Sequence, residues 1–126
     1  MKDKKNSSID TRSILRDLFE GIQFLHENGI CHRDIKPENV YISDSSQELK
    51  IIDFNSATKL REKEFTIGVA GDPEYQAPEM KDSRPYSTKI DIWSAGLVAY
   101  FILSEGELPE MDEDSTSEEM QEQINN

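Results

Sequence analysis

The 126 residues suffice for one modest domain, with 35% apolar residues, 32% charged residues and a formal net charge of −12. The charge is lopsided: residues 1–89 hold all 14 Lys and Arg against 16 Asp and Glu, and residues 90–126 hold ten acidic residues and no basic one. With no basic face there is no footprint for nucleic acid, and the single Cys31 excludes an internal disulfide and any cysteine-cluster metal site.

In chain order, residues 1–9 are polar and charged, "MKDKKNSSI", and read as a flexible segment without the apolar core of a signal peptide. From about Ile9 to Asn28, the residues Ile14, Leu15, Leu18, Phe19, Ile22 and Leu25 recur at three- and four-residue steps, which predicts an amphipathic helix closed by Gly29. His26 on that helix is expected at its surface or boundary, and Cys31 just after it as a small buried residue. Two short runs, "NVYI" (39–42) and "LKII" (49–52), flank the turn-rich "SDSSQE" and predict a β-hairpin. Residues 53–87 show no sustained period and hold Gly68, Gly71, Pro73, Pro78 and Pro85, which predicts one long loop of the length that carries function. Ser87 is placed to cap a second helix, "TKIDIWSAGLVAYFILS", apolar on nearly every face. That stretch is too short, and with Asp91 and Ser94 too polar, to span a bilayer, so no membrane association is expected. Residues 110–126 read as an acidic disordered tail. Lack of a leader and lack of disulfides together point to the cytoplasm, with the nucleus open.

Four motifs stand in a fixed order: "HRDIKPEN" (32–39), "DFN" (53–55), "APE" (77–79) and "DIWSAG" (91–96). Through them residues 10–109 resemble part of the C-terminal lobe of a eukaryotic protein kinase, of the serine/threonine type because Lys-Pro-Glu follows Asp34. The implied fold is mainly α with a small β-hairpin: long helix, catalytic loop, hairpin, activation segment and buried central helix. The resemblance implies ATP and Mg²⁺ as cofactors and a protein Ser/Thr hydroxyl as acceptor. It makes Asp34 the catalytic base, Lys36 the neutralising cation, and Asn39 and Asp53 the Mg²⁺ ligands, with Val40, Tyr41 and Ile42 as the nucleotide floor. His32 and Phe54 would belong to a packed column between lobes, Arg33 would pair with an activation-loop phosphate, and Glu79 with an arginine further along the family's chain. Asp91 would accept hydrogen bonds from the catalytic-loop backbone.

Some positions depart from the family pattern. Asn55 replaces a glycine, and asparagine tolerates positive φ better than most residues. Asp72 replaces a threonine, where a carboxylate would compete for Lys36 and repel Asp34. Gly68 occupies the usual phosphosite position, leaving Thr66 as a displaced candidate. No glycine-rich phosphate loop or partner lysine precedes the first helix, so activity is expected to require an N-lobe in cis or in trans. Parts of Trp93, Leu97, Tyr100 and Phe101 are expected to stay exposed. Three functions therefore remain open: a catalytic-domain fragment inactive alone, a pseudokinase-like docking module, and a non-functional remnant.

Overall fold

In the computed structural model, residues 10–43 and 45–105 are described, and the predicted flexible start and acidic tail lie outside them. The elements are α1 (Thr11–Glu27), β1 (Ile30–Cys31), β2 (Val40–Ile42), β3 (Leu49–Ile51), β4 (Thr58–Lys59), α2 (Pro78–Lys81) and α3 (Lys89–Leu103). Short 3₁₀ turns occupy Pro37–Asn39 and Pro73–Tyr75. The architecture is mainly helical with two small two-stranded sheets, as the resemblance implies for part of a kinase C-lobe.

Asp10 caps α1, its side chain accepting from the Arg12 N–H at 3.2 Å. The stripe Ile14, Leu18, Ile22 and Leu25 is buried. At the C-terminus Asn28 closes the helix and Gly29 turns the chain away at φ 74°. The Gly29 carbonyl then accepts from the Leu60 N–H at 2.8 Å, which leads β4 onto β1. This β1–β4 ladder, with Ile30 opposite Lys59 and Cys31 opposite Thr58, was not expected. Two-residue strands carry no period to read.

The hairpin forms in the register Val40–Ile51, Tyr41–Lys50 and Ile42–Leu49. Its inner face packs on α1 across Gly21, where an added Cβ would stand 3.1 Å from Ile51 Cδ1. The predicted featureless loop 53–87 instead contains β4, a 3₁₀ turn, α2 and an isolated bridge between Thr66 and Tyr86. Proline at the first position of both helical turns starts them where pattern alone shows nothing.

Helix α3 begins where Ser87 Oγ accepts from the Lys89 N–H at 3.2 Å, as its capping role requires. It packs against α1 and the Pro73–Tyr75 turn. Two expectations about it are corrected: Trp93 is only 8% exposed and Leu97 1%. Neighbours along α1 and the 3₁₀ turn cover that side, while Ile92, Tyr100 and Leu103 form the exposed face. Among the described residues no helix is long and apolar enough to cross a membrane.

Candidate active site

Asp91, in the first turn of α3, is fully buried, and three donors converge on it. Its Oδ2 accepts from the His32 N–H at 2.8 Å and from His26 Nε2 at 2.9 Å, and its Oδ1 from the Arg33 N–H at 3.0 Å. A buried carboxylate persists only when its lone pairs are met in this way. The backbone bonds are those the resemblance implies. His26 is a correction: it is buried between the helices and not at the surface. The signal was present, since His26 continues the four-residue ladder Ile14, Leu18, Ile22.

The same anchor sets the catalytic loop. Arg33 sits in the left-handed region at φ 71°, a conformation that surrounding hydrogen bonds must hold. The buried His32 ring accepts the Asp34 N–H at Nδ1 (3.1 Å) and meets the Ile52 carbonyl at Nε2 (3.0 Å), which places its proton on Nε2. Phe54 packs edge-on to it, ring centroids 5.0 Å apart, with its other side exposed. Beside them, burial and then the Asp91 carboxylate push the buried Cys31 thiol well above its ordinary pKa, which disfavours the reactive thiolate.

Asp34 is held at both oxygens. Oδ1 accepts from the Asp72 N–H at 3.0 Å and Oδ2 from Asn39 Nδ2 at 3.2 Å. Asn39, itself buried, also donates to the Asp34 carbonyl at 2.8 Å. The Lys36 ammonium stands 3.4 Å from Asp72 Oδ2, while Asp72 Oδ1 caps the turn through the Glu74 N–H at 3.0 Å. Desolvation lowers the Lys36 pKa, but the carboxylates of Asp34, Asp72 and Glu38 together outweigh it and raise the pKa above its ordinary value. Asp72 thus competes for Lys36 as expected, yet it presents its amide, not its carboxylate, to Asp34. Gly71 makes this approach feasible: at φ 86°, an added Cβ would fall 2.1 Å from the Arg33 carbonyl oxygen.

The hairpin brings Asn39 and Asp53 together. The Ile52 N–H donates to the Asn39 carbonyl at 2.9 Å, so Asp53 follows directly on the residue facing Asn39. The left-handed residue of this stretch is Asp53 (φ 63°), not Asn55; the strain falls two residues earlier than the glycine position suggests. Of the three floor residues only Tyr41 faces outward, 56% exposed, whereas Val40 and Ile42 pack onto the core. Alternation along a strand dictates that split. Thr66 is half-buried and its backbone pairs both ways with Tyr86, at 2.9 and 2.8 Å. Glu79 is half-buried, and among the described residues its carboxylate has no ion pair.

The model of the protein kinase domain family matches residues 2–126. A SNF1-related protein kinase catalytic subunit alpha, KIN12, of Arabidopsis thaliana is 38% identical over 104 residues, 82% of this chain and 21% of that protein. Calcium/calmodulin-dependent protein kinase type II of Caenorhabditis elegans is 37% identical over 110 residues, 86% of this chain and 15% of that protein. The serine/threonine-protein kinase PEPKR2 of Arabidopsis thaliana is 42% identical over 97 residues, 77% of this chain and 20% of that protein. The chain therefore spans about a fifth or less of the length of these relatives. Motif order, the buried Asp91 anchor and these matches converge: the chain belongs to the protein kinase domain family, among relatives that are serine/threonine kinases.

Proposed function

We propose that this chain supplies the catalytic-loop half of a serine/threonine phosphotransferase site, which transfers the γ-phosphoryl group of ATP once an N-lobe completes the cleft. The observation that carries this reading is the fixing of Asp34 at both oxygens, by the Asp72 N–H and Asn39 Nδ2, beside the Lys36 ammonium. A carboxylate so held is aimed before substrate arrives, which is what phosphoryl transfer asks of a protein. Asp34 takes the proton of the acceptor hydroxyl as its oxygen bonds to the γ-phosphorus and ADP leaves. Lys36 neutralises charge on the transferring group.

Asn39 and Asp53 fit Mg²⁺ as hard oxygen donors. Because the Asn39 amide nitrogen is committed to Asp34, its oxygen is the atom left for a cation, and the exposed Asp53 follows the residue whose N–H pairs with the Asn39 carbonyl. Bound there, the cation would supply charge neutralisation to the nucleotide phosphates. Tyr41 would stack beneath the adenine from the outer face of the hairpin.

The test is transfer of labelled phosphate from Mg·ATP to a Ser/Thr peptide by residues 1–126 joined to a kinase N-lobe, compared with residues 1–126 alone. The completed chimera should be active and lose activity with Asp34→Asn, while residues 1–126 give no transfer above background. Transfer unaffected by Asp34→Asn would refute the reading.

A second reading rests on the Lys36–Asp72 contact, which ties up the very cation the reaction needs. It makes the chain a pseudokinase-like docking module. Thermal stabilisation by millimolar Mg·ATP separates the two: a measurable shift supports the catalytic reading, and none supports the docking module.

A further inference from the structure

Residues 65–70 carry Phe65, Ile67 and Val69, exposed at 67, 68 and 64%, so apolar packing does not hold this stretch against the body. Hydrogen bonds do. The buried Tyr86 pairs its backbone with Thr66 in both directions, and its phenol hydroxyl donates to the Gly68 carbonyl. That hydroxyl in turn accepts from Arg33 Nη1 at 3.1 Å, while Arg33 Nε donates to the Ser56 carbonyl at 2.8 Å. Arg33 is the residue before Asp34, its carbonyl touches Gly71, and the next residue, Asp72, donates its amide to Asp34. The phenol is thus the junction through which the segment's position reaches the catalytic carboxylate.

We infer that Tyr86 is a positioning residue: with Arg33 it clasps residues 56–70 onto the catalytic loop and so sets the Asp72 amide against Asp34. Every oxygen in the clasp is a backbone carbonyl or the phenol itself, so no modified side chain is required to dock the segment. The inference rests on the phosphotransferase reading only for its consequence in turnover; the clasp is measured without any turnover, so the two can fail separately.

The test is amide hydrogen exchange on the full-length natural protein, comparing wild type, Tyr86→Phe, Arg33→Gln and the double variant. Tyr86→Phe keeps the buried ring and removes only the relay. Exchange at the Thr66 and Asp72 amides, the hydrogen-bonded N–H groups at either end of the segment, should quicken about tenfold, the loss expected for a hydrogen bond to a charged group, with α1 and α3 unchanged. In the double variant the quickening should exceed that of either single variant yet fall short of their product, because the two substitutions share the Arg33–Tyr86 bond and each removes one further bond of its own. Prior phosphatase treatment should leave wild-type exchange as it was. Four results would overturn the inference: no change at the Thr66 and Asp72 amides, a quickening that extends through α3, additive effects in the double variant, or a wild-type segment loosened by the phosphatase. If the exchange pattern is found but wild type transfers no phosphate, the clasp stands and only the phosphotransferase reading falls.

Discussion

Replacing Asp91 by asparagine keeps the shape of the side chain and removes one acceptor from a fully buried site. The amide oxygen can still serve His32 and His26 from the Oδ2 position, but the new NH₂ then faces the Arg33 N–H, two donors with no acceptor between them. An orphaned buried donor costs about 1–3 kcal/mol, and the two surviving bonds weaken as their acceptor loses its charge, by roughly 0.5–1 kcal/mol each. The sum is about 3 kcal/mol, a large part of the ~5–15 kcal/mol that holds a domain folded. For a folding unit of this size that lowers Tm by roughly 10 °C. Differential scanning fluorimetry reads the shift, and hydrogen exchange at His32 and Arg33 shows whether it originates in the catalytic loop. A fall of less than about 2 °C with those amides still protected would refute the claim that Asp91 anchors the loop.

Other expectations follow from single contacts. Gly71→Ala places a Cβ 2.1 Å from the Arg33 carbonyl oxygen at a left-handed φ, so it should cost about 3 kcal/mol or more and displace Asp72; an unchanged urea midpoint would refute this. Leu18→Ala empties a fully buried position on α1 and should cost about 2–5 kcal/mol by urea unfolding, whereas Glu20→Ala, on the exposed face of the same helix, should change little. Burial, with the nearby Glu38, Glu74 and Asp72 carboxylates, lifts the Tyr75 phenol from 10.0 to about 12. The folded state then holds this proton where the unfolded chain has lost it, so stability present below pH 10 declines as pH rises through 12. Thermal unfolding between those limits should fall more steeply for wild type than for Tyr75→Phe, and parallel slopes would count against it.

Much of the site was legible before any coordinates because its residues are adjacent in the chain. Asp34, Lys36 and Asn39 lie within one eight-residue motif, and the hairpin pattern told that Asp53 would return to Asn39. Both helices could be read because a long stripe of apolar side chains repeats often enough to be seen, and Ser87 and Gly29 mark their ends. The 3₁₀ turn, α2 and the β1–β4 ladder were not legible, since two to four residues cannot display a period.

The sequence by itself determined the element types that depend on local pattern, the family, and which residues make up the candidate site. Only the tertiary structure decided what each group faces. His26 became an anchor of the catalytic loop because α3 brings Asp91 to it from 65 residues away. Asp72 turned its amide to Asp34 and its carboxylate to Lys36, a choice made by the backbone turn that Gly71 permits. Tyr86 became the junction between Arg33 and Gly68. Each of these is a contact between distant stretches, whose geometry is set by the packing of the helices and by the few backbone conformations the intervening loop can adopt.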